Sequence, residues 1–334
     1  MQSGSAGIDI EALQPAEARR EIARRQREDA LRRMDPCTGG LRKELAVPAS
    51  CCVCGSDVAA ELFLKEGFRY VQCRRCGLVY VNPRLNDAET RRLYAEGGRG
   101  AYQFEHFYLP SAAYRKQRLY PARLDAIERH LGRIGRILDV GSSTGHFLQC
   151  ARERGWEVYG IELAEYAARY ARETLKIESV QCADLAEAGF TPGFFDAVTL
   201  WDVIEHVTEP RALLTRIREV LRPDGMVFLH TPNAECFERV VLGPDMVNFA
   251  GDFHPVCYTK GSLRRLVEDA GFLPETLFTF GLDVAHIVDV YERQGRTAET
   301  VFLRAFGEEL QRLIDAAGEA CYLACYARRR ERFP

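Results

Sequence analysis

The sequence lacks several features that would assign it to a protein class at once. No stretch approaches the ~20 consecutive apolar residues of a membrane-spanning helix, and the N-terminal residues lack the apolar core of a secretory signal. The 45 lysines and arginines nearly balance the 48 aspartates and glutamates, so the net charge is -3 and no overall basic field favours nucleic acid. We therefore expect a cytoplasmic protein with neither a membrane nor a nucleic acid as its partner.

Disulfides are a poor explanation for the 12 cysteines, because a cytosolic chain keeps its thiols reduced. Their spacing indicates a different role. Cys51 and Cys54 form one C-x-x-C pair, Cys73 and Cys76 form a second, and a glycine follows each pair. Four thiolates in two such turns suit one tetrahedral Zn²⁺. The pattern predicts a zinc ribbon with a structural ion; buried free thiols or a redox pair are the alternatives.

Composition and turn residues divide the chain into four parts. Apolar residues make up 47% and charged residues 28%, which are globular values. Residues 1–47 form a charged arm, predicted as a solvated helix or a partly ordered segment, and 48–84 form the ribbon. The aromatic-rich segment 85–130 either covers a pocket or packs the ribbon onto the rest. Residues 131–334 form the largest domain, in which 281–318 is an inserted helical segment.

Strands and helices alternate from about residue 134 onward, with short loops between them. The predicted strands, in order, are IGRILDV, WEVYGIE, IESVQ, FFDAVTLW, GMVFLHT, LPETLFTF and CYLACYA. Amphipathic helices separate most of these strands. This alternation predicts an α/β fold whose mostly parallel sheet is covered by helices on both faces.

The first strand leads into a glycine turn, LDVGSSTG, that is suited to a nucleoside ligand. Gly141 lets the chain bend and lets a ligand approach the backbone, and Gly145 permits close packing at the helix start. Glu162 ends the next strand, where a carboxylate can hold both hydroxyls of a ribose. Asp184 follows the third strand and could reach an adenine amine. Ser143 and His146 replace two glycines of the dinucleotide fingerprint, which favours a cofactor without phosphates.

At this point the chain resembles the class I S-adenosylmethionine-dependent methyltransferases. The similarity rests on LDVGSSTG, GIE, CADL, FDAVTLWDVIEHV and LRPDGMVFLHTPN, which follow one another in the order of that family's motifs. It implies a seven-stranded, Rossmann-like sheet and S-adenosyl-L-methionine as the cofactor. The ribbon resembles that of a subgroup that modifies sugars and natural products.

The resemblance also implies roles for individual residues at the cofactor site. The methionine moiety and the ribose would be surrounded by Asp139, Gly141, Ser142 and Gly145. Ile161 or Leu163 would line the adenine, Leu185 would pack beside Asp184, and Trp201 and Asp202 would lie near the methyl group. Ser143 stands where many members of the family have the middle glycine of the turn.

Methyl transfer to a hydroxyl requires removal of a proton, and histidine is the natural base near neutral pH. His206 follows the fourth strand, and His254 lies in the loop after the fifth. Both match functional histidines of the ribbon-containing family, and either is predicted as the base. Asp202, Glu205 and His206 also resemble the E-x-x-E-H motif of quinone O-methyltransferases, a metal site in that group; the start of a helix is the alternative explanation.

The acceptor is expected to be a small molecule, and an oxygen of a sugar or natural-product intermediate is the leading hypothesis. Sugar C-methyltransferases with this ribbon continue into another large domain, whereas this sequence stops soon after its final strand, which disfavours carbon. Nitrogen stays open. Two other classes compete: an inactive cofactor-binding fold whose basic ribbon docks on nucleic acid or protein, and a nicotinamide oxidoreductase.

Overall fold

The computed structural model describes residues 8–330, so that residues 1–7 of the predicted arm and 331–334 of the predicted C-terminal domain lie outside the described chain. The α-helices in order are α1 Ile10–Leu13, α2 Ala16–Arg33, α3 Asp87–Tyr94, α4 Arg99–Gln103, α5 Ala112–Arg118, α6 Tyr120–Leu131, α7 His146–Glu153, α8 Glu165–Glu173, α9 Pro210–Val220, α10 Phe237–Leu242, α11 Lys260–Asp269, α12 Asp283–Arg293 and α13 Thr297–Ala317. The strands are β1 Ala46–Val47, β2 Ala59–Lys65, β3 Phe68–Cys73, β4 Val79–Val81, β5 Arg84–Leu85, β6 Arg136–Val140, β7 Glu157–Ile161, β8 Val180–Gln181, β9 Phe195–Trp201, β10 Leu221–Pro232, β11 Val256–Cys257, β12 Phe272–Phe280 and β13 Tyr322–Arg329. Short 3-10 helices cover Lys43–Leu45, Ile204–His206 and Gly243–Asp245, and one turn of π-helix covers Phe104–Tyr108.

A seven-stranded sheet with the order β12-β13-β10-β9-β6-β7-β8 forms the centre of the molecule. The five strands from β10 to β8 are parallel, and β13 pairs antiparallel with both β10 and β12. The predicted α/β fold with a seven-stranded, mostly parallel sheet is therefore confirmed.

Alternate residues of the strands belong to two different apolar clusters. In β10, Val227 and Leu229 pack with α9 and α11, whereas Phe228 packs with α6 and α7 on the opposite face. Because successive side chains of a strand point to opposite faces, helices must cover both sides of this sheet. The central strands are fully buried for this reason, which explains their continuous apolar sequences.

The predicted ribbon forms a second, four-stranded antiparallel sheet with the order β11-β4-β3-β2. Its edge strand β11 comes from the loop that follows β10, where Val256 pairs with Tyr80 and Cys257 with Val79. The side chain of Thr259 then accepts a hydrogen bond from the Ser262 backbone, and a reciprocal bond completes the capping box that starts α11. The ribbon is thus joined by hydrogen bonds to the larger domain, an association that no local sequence pattern predicted.

Helix α2 of the predicted arm packs onto the molecule through buried charges. Arg33 donates to the Asp252 carboxylate at 2.8 Å, and Arg99 of α4 forms a second ion pair with the same carboxylate. All three side chains are buried. Burial opposes the ionisation of Asp252, but the charges of Arg99 and Arg33 outweigh it and keep the pKa of that carboxyl below its usual range. The arm is therefore an anchored helix and not the freely solvated one that its composition favoured.

The predicted helical insertion contains two helices, α12 and α13. Helix α12 buries Val284, Ile287 and Val290. On α13, Phe302 and Phe306 stay more than half exposed. Among the described residues no helix combines the length and the apolar character that a membrane crossing requires.

Candidate functional site

A cavity of about 650 Å³ opens at the edge of the central sheet where β6, β7 and β9 end. Ligands of parallel α/β sheets bind at this edge, because loops at the carboxyl ends of the strands leave a crevice there. The lining includes Glu162 beside the sheet, Phe104 from the aromatic segment, Ile22 from α2, Lys65 from the ribbon and His286 from α12. The walls therefore come from all four predicted parts of the chain.

The glycine turn after β6 has a backbone that side chains would disturb. Gly141 has φ +74°, and a Cβ there would lie 2.7 Å from the Val203 side chain. Gly145 has φ +77°, and its Cβ would lie 2.9 Å from that of Ala171. Ser143 also adopts a left-handed conformation, with φ +46°, where the related family commonly has glycine. The turn thus has a left-handed conformation at its serine as well as at the two glycines that flank it.

Glu162 lies at the end of β7 on the cavity wall, where two backbone amides hold its carboxylate. One oxygen accepts from the Ser143 amide and the other from the Ala164 amide, both at 2.9 Å. Burial raises the pKa of Glu162, and these amide bonds oppose the shift. The carboxylate is therefore oriented before a ligand binds, which suits recognition of two vicinal hydroxyls.

Asp139 and Ser142 lie beneath the turn. The Asp139 carboxylate accepts from the Thr199 hydroxyl at 2.6 Å, and burial raises its pKa to about 7. The buried Ser142 hydroxyl has no hydrogen-bond partner among the residues described. The bond from Thr199 fixes the Asp139 carboxylate, and contact of either side chain with a cofactor stays a prediction.

The residues predicted to contact the adenine differ in their exposure to solvent. Asp184 is exposed, and its Oδ1 accepts from the amides of Ala186 and Glu187, both at 2.8 Å. Leu185 is buried in the core, whereas Leu163 is 72% exposed. Asp184 therefore stabilises the turn after β8, as a loop carboxylate does, and its second oxygen is the one left for an adenine amine.

Trp201 and Asp202 end β9 beside the cavity. Asp202 has φ +58°, which is unusual for a residue with a side chain, and its buried Oδ1 has no partner within residues 8–330. Its amide donates to the His230 carbonyl at 3.1 Å. Asp202 lies at the predicted methyl end. Its backbone conformation and its unbonded carboxylate oxygen are features expected of a residue that contacts a ligand.

Two arginines that the sequence analysis did not select, Arg115 and Arg123, line the same cavity. The guanidinium of Arg123 lies 4.5 Å from the ring centre of Trp201, and that of Arg115 lies 5.0 Å from Tyr108. Both come from the short helices before β6. Cations in such helices are common, so spacing alone could not distinguish these two.

His206 and His254 lie together in the cavity wall, with ring centres 5.0 Å apart. The His206 Nδ1 donates to the Phe253 carbonyl at 2.6 Å, and the His254 Nδ1 donates to the Asn248 carbonyl at 3.0 Å. Carbonyls can only accept, so in each ring Nδ1 carries the proton and Nε2 is the basic atom. Burial lowers the pKa of His206 to about 3 and also lowers the pKa of His254, which keeps both rings neutral.

Glu205 completes this cluster. Its Oε2 accepts from the Thr231 hydroxyl at 3.0 Å, whereas the buried Oε1 has no hydrogen-bond partner in the described part of the chain. Burial, followed by the charge of Asp202, raises the pKa of Glu205 well above its usual range. One ligand atom from each of Glu205, His206 and His254 lies within 4.8 Å of the others. The sequence paired Glu205 and His206 with Asp202, while the structure adds His254 from a distant loop.

The four ribbon cysteines form a second cluster, away from the cavity. Cys51 and Cys76 have sulfurs 3.4 Å apart, Cys54 and Cys73 have sulfurs 3.5 Å apart, and all four lie within 4.8 Å of one another. Zinc–sulfur bonds of about 2.3 Å in a tetrahedron require sulfurs roughly 3.8 Å apart. The donor set therefore fits a zinc ion with no coordination position left for a substrate.

Comparison with known proteins agrees with this geometry. The family described as "Methyltransferase domain" matches residues 111–277, half of the chain. A ubiquinone biosynthesis O-methyltransferase of Chromobacterium violaceum is 34% identical over 175 residues, which cover 48% of this chain and 75% of that protein. Its counterpart in Neisseria meningitidis is 37% identical over 123 residues, which cover 34% of this chain and 51% of that protein. The chain thus spans about half the length of the latter relative.

Solved structures show lower similarity. A geranyl diphosphate C-methyltransferase from Streptomyces coelicolor is 19% identical with a TM-score of 0.45, over 66% of this chain and 84% of that one. A SAM-dependent methyltransferase from Archaeoglobus fulgidus is 16% identical with a TM-score of 0.47, over 64% of this chain and 94% of that one.

Replacing Glu162 by alanine should weaken the binding of S-adenosylmethionine at least tenfold. A charge-assisted hydrogen bond contributes about 1.5–3 kcal/mol, and the ribose would lose such bonds. Isothermal titration calorimetry measures the dissociation constant, and Glu173→Ala, an exposed carboxylate on α8, is the matched control. An unchanged constant in a folded Glu162→Ala protein would refute the assignment.

Proposed function

The chain belongs to the class I S-adenosylmethionine-dependent methyltransferases, and we propose that it methylates a hydroxyl group of a small molecule. The supporting observation is the continuity of the cavity, which joins the carboxylate of Glu162 to the cluster of Glu205, His206 and His254. Its volume of about 650 Å³ falls within the usual range for small-molecule sites, about 300–1,000 Å³. One end can hold a nucleoside while the other holds a polar acceptor.

The cofactor residues fit S-adenosylmethionine in charge as well as in shape. Glu162 offers two fixed oxygens for the ribose, and the cations of Arg115 and Arg123 complement the carboxylate of the methionine moiety. Asp202 has a free oxygen for the methionine ammonium. When bound, this cofactor supplies a methyl group on a positively charged sulfur.

An oxygen acceptor is supported by the names of the relatives, which are O-methyltransferases. It is also supported by the two neutral histidines, because an alcohol must lose its proton as it is methylated, whereas an amine can lose one afterwards. A hydroxyl on a sugar or natural-product intermediate remains the proposed acceptor.

In this mechanism His206 or His254 takes the acceptor's proton at Nε2. The backbone carbonyls that bind Nδ1 fix the orientation of each ring and stabilise the positive charge that forms on protonation. The rings of Tyr94 and Phe253 pack edge-on beside His206 with their centres 5.3 Å apart, and the Tyr94 hydroxyl lies 3.1 Å from the His206 Nδ1. Aromatic rings in this position would limit the access of water, which would otherwise compete for the methyl group.

The same wall also fits a divalent cation, which is a second candidate arrangement. Among residues 8–330 no donor bonds to the buried Oε1 of Glu205, and one carboxylate with two oriented imidazoles is a common ligand set. There Glu205, His206 and His254 would hold the ion, which would supply positive charge beside the acceptor oxygen.

The proposed activity is tested by incubating the protein with methyl-labelled S-adenosylmethionine and matched phenols, hydroxylated sugars and amines. Mass spectrometry should detect a labelled product among the hydroxylated compounds. Binding of the cofactor without any product, also in extracts of the source cell, would favour an inactive binding module. A product labelled on nitrogen or carbon would overturn the oxygen assignment.

Replacing the catalytic histidine, His206 or His254, by alanine should lower turnover roughly 10²–10⁴-fold with little change in cofactor affinity. A lowered pKa means that the neutral base is present at all pH values above it and is lost only as the pH falls through it. Since the pKa of His206 lies at about 3, turnover should stay level from about pH 8 to about pH 5.

The exposed His106 provides the control, because its replacement by alanine should leave turnover unchanged.

A chelator distinguishes a histidine base from a bound divalent cation at Glu205, His206 and His254. Loss of activity in a chelator, with recovery on adding Mg²⁺ to the parent but not to Glu205→Gln, would indicate a cation. Full turnover in both single histidine variants would exclude the base.

We also propose that Cys51, Cys54, Cys73 and Cys76 bind one structural zinc ion per chain. Cys73→Ser should lose the zinc and lower the unfolding temperature, because Cys73 also packs in the core shared with the central sheet. Cys52→Ser is the matched control and should retain the metal. Elemental analysis and thermal unfolding test both variants, and a metal-free parent protein after gentle purification would disprove the proposal.

A further inference from the structure

A third cluster of side chains that commonly bind metals consists of Glu238, His286 and Cys321. Glu238 belongs to α10, His286 belongs to α12 of the inserted segment, and Cys321 directly precedes β13. One ligand atom from each of the three residues lies within 4.8 Å of the other two. The proposed cofactor, base and ribbon zinc residues include none of them, so their convergence calls for a separate explanation.

The distances among the three donor atoms are close to those of a zinc site. His286 Nδ1 lies 2.8 Å from Glu238 Oε2 and 3.9 Å from Cys321 Sγ. With bonds of about 2.0–2.1 Å to nitrogen and oxygen and about 2.3 Å to sulfur, a tetrahedral ion needs separations of roughly 3.3 Å and 3.6 Å. Binding would therefore widen the first separation and narrow the second, each by about half an ångström or less.

Backbone amides hold two of the three donors in place. Glu238 Oε1 accepts from the Val247 amide at 2.7 Å, while Oε2 faces the imidazole. Cys321 Sγ accepts from the Leu282 amide at 3.4 Å. Hydrogen bonds of this kind, from groups that do not touch the ion, orient the ligands of metal sites. The carboxylate and the sulfur are therefore positioned before an ion arrives.

The charges around the cluster favour a cation. Glu238 and Cys321 are completely buried, and His286 is 6% exposed. A second completely buried carboxylate, that of Asp283, accepts from the backbone amides of Glu238 and Cys321 at 3.2 Å and 3.0 Å. Two buried carboxylates thus lie beside one imidazole. A proton on that imidazole neutralises one of them, whereas a divalent ion would neutralise both.

The ligand types select the ion, and the cavity provides a path to it. One nitrogen, one carboxylate oxygen and one sulfur suit Zn²⁺, whereas Mg²⁺ and Ca²⁺ take oxygen ligands. Gly281, Leu282 and His286 line the large cavity, so the cluster lies directly behind its wall. Three protein ligands leave one position of a tetrahedral ion for a water molecule.

We propose that Glu238, His286 and Cys321 bind a zinc ion, separate from the one proposed for the ribbon. The ion displaces the proton between Nδ1 and Oε2 and the proton of the Cys321 thiol; both pass to solvent, and Nε2 keeps its own. The bound ion joins α10, α12 and the start of β13. It thereby fixes the inserted segment, which supplies part of the cavity wall, to the central sheet.

Zinc content tests this site in the full-length protein, which is kept reduced, saturated with zinc sulfate and freed of unbound metal by gel filtration. Elemental analysis should show one zinc ion fewer per chain in Cys321→Ala than in the parent protein, and Glu238→Gln should also contain less zinc. Cys325→Ala is the matched control and should keep the parent's content, because Cys325 is an equally buried cysteine of β13 that packs in the apolar core. Circular dichroism establishes that each variant is folded.

A difference of one ion identifies this site whether or not the ribbon holds its own zinc, and the measurement requires no methyl acceptor. Anomalous scattering at the zinc absorption edge, from crystals of the zinc-saturated parent protein, locates the ion without relying on any variant. We expect a peak among the side chains of Glu238, His286 and Cys321. Equal zinc content in the parent and in folded Cys321→Ala, or no peak at this position, would overturn the proposal.

Discussion

The proposed acceptor side of the cavity depends on the ion pairs that the buried carboxylate of Asp252 forms. A buried charge is costly unless it is paired, and Asp252 is paired twice, with Arg33 of the arm and Arg99 of the aromatic segment. The next two residues are Phe253, whose carbonyl orients His206, and His254 itself. The ion pairs that pack the arm onto the molecule therefore also fix the histidine wall, since all of them act on one short loop.

The same loop is held from its other side by the ribbon. Strand β11 begins two residues after His254 and completes the ribbon sheet by pairing with β4. Ribbon residues such as Val53 and Tyr80 share an apolar cluster with Leu200 and Leu229 of the central sheet. The ribbon thus packs with the central sheet beside the histidine wall, and loss of its order would be transmitted to that wall through β11.

Local features of the sequence predicted the fold and the position of Glu162 at the end of a strand, where the structure places it on the cavity wall. Strand–helix alternation is a short-range pattern, and the positions of Gly141 and Glu162 follow from where two strands end. The rest depends on contacts between distant residues: Arg33 and Asp252 are 219 positions apart, and Glu238 and His286 are 48 apart. No periodicity encodes such pairs, because a buried charge is identified only once the packing that encloses it is known.

The two ends of the cavity differ in the same way: one is formed by local features of the sheet, and the other by segments that are distant in sequence. The proposed cofactor end is built by turns that directly follow strands, so the sheet fixes the residues that we propose to hold the nucleoside. The proposed acceptor end is built by segments added to the sheet: the arm through Arg19, the ribbon through Lys65 and the insertion through His286. Changes in those segments can alter the shape and charge of the acceptor end without moving β6, β7 or β9. Under the proposed function, selectivity for the acceptor would then be decided by elements that pack against the sheet from outside it.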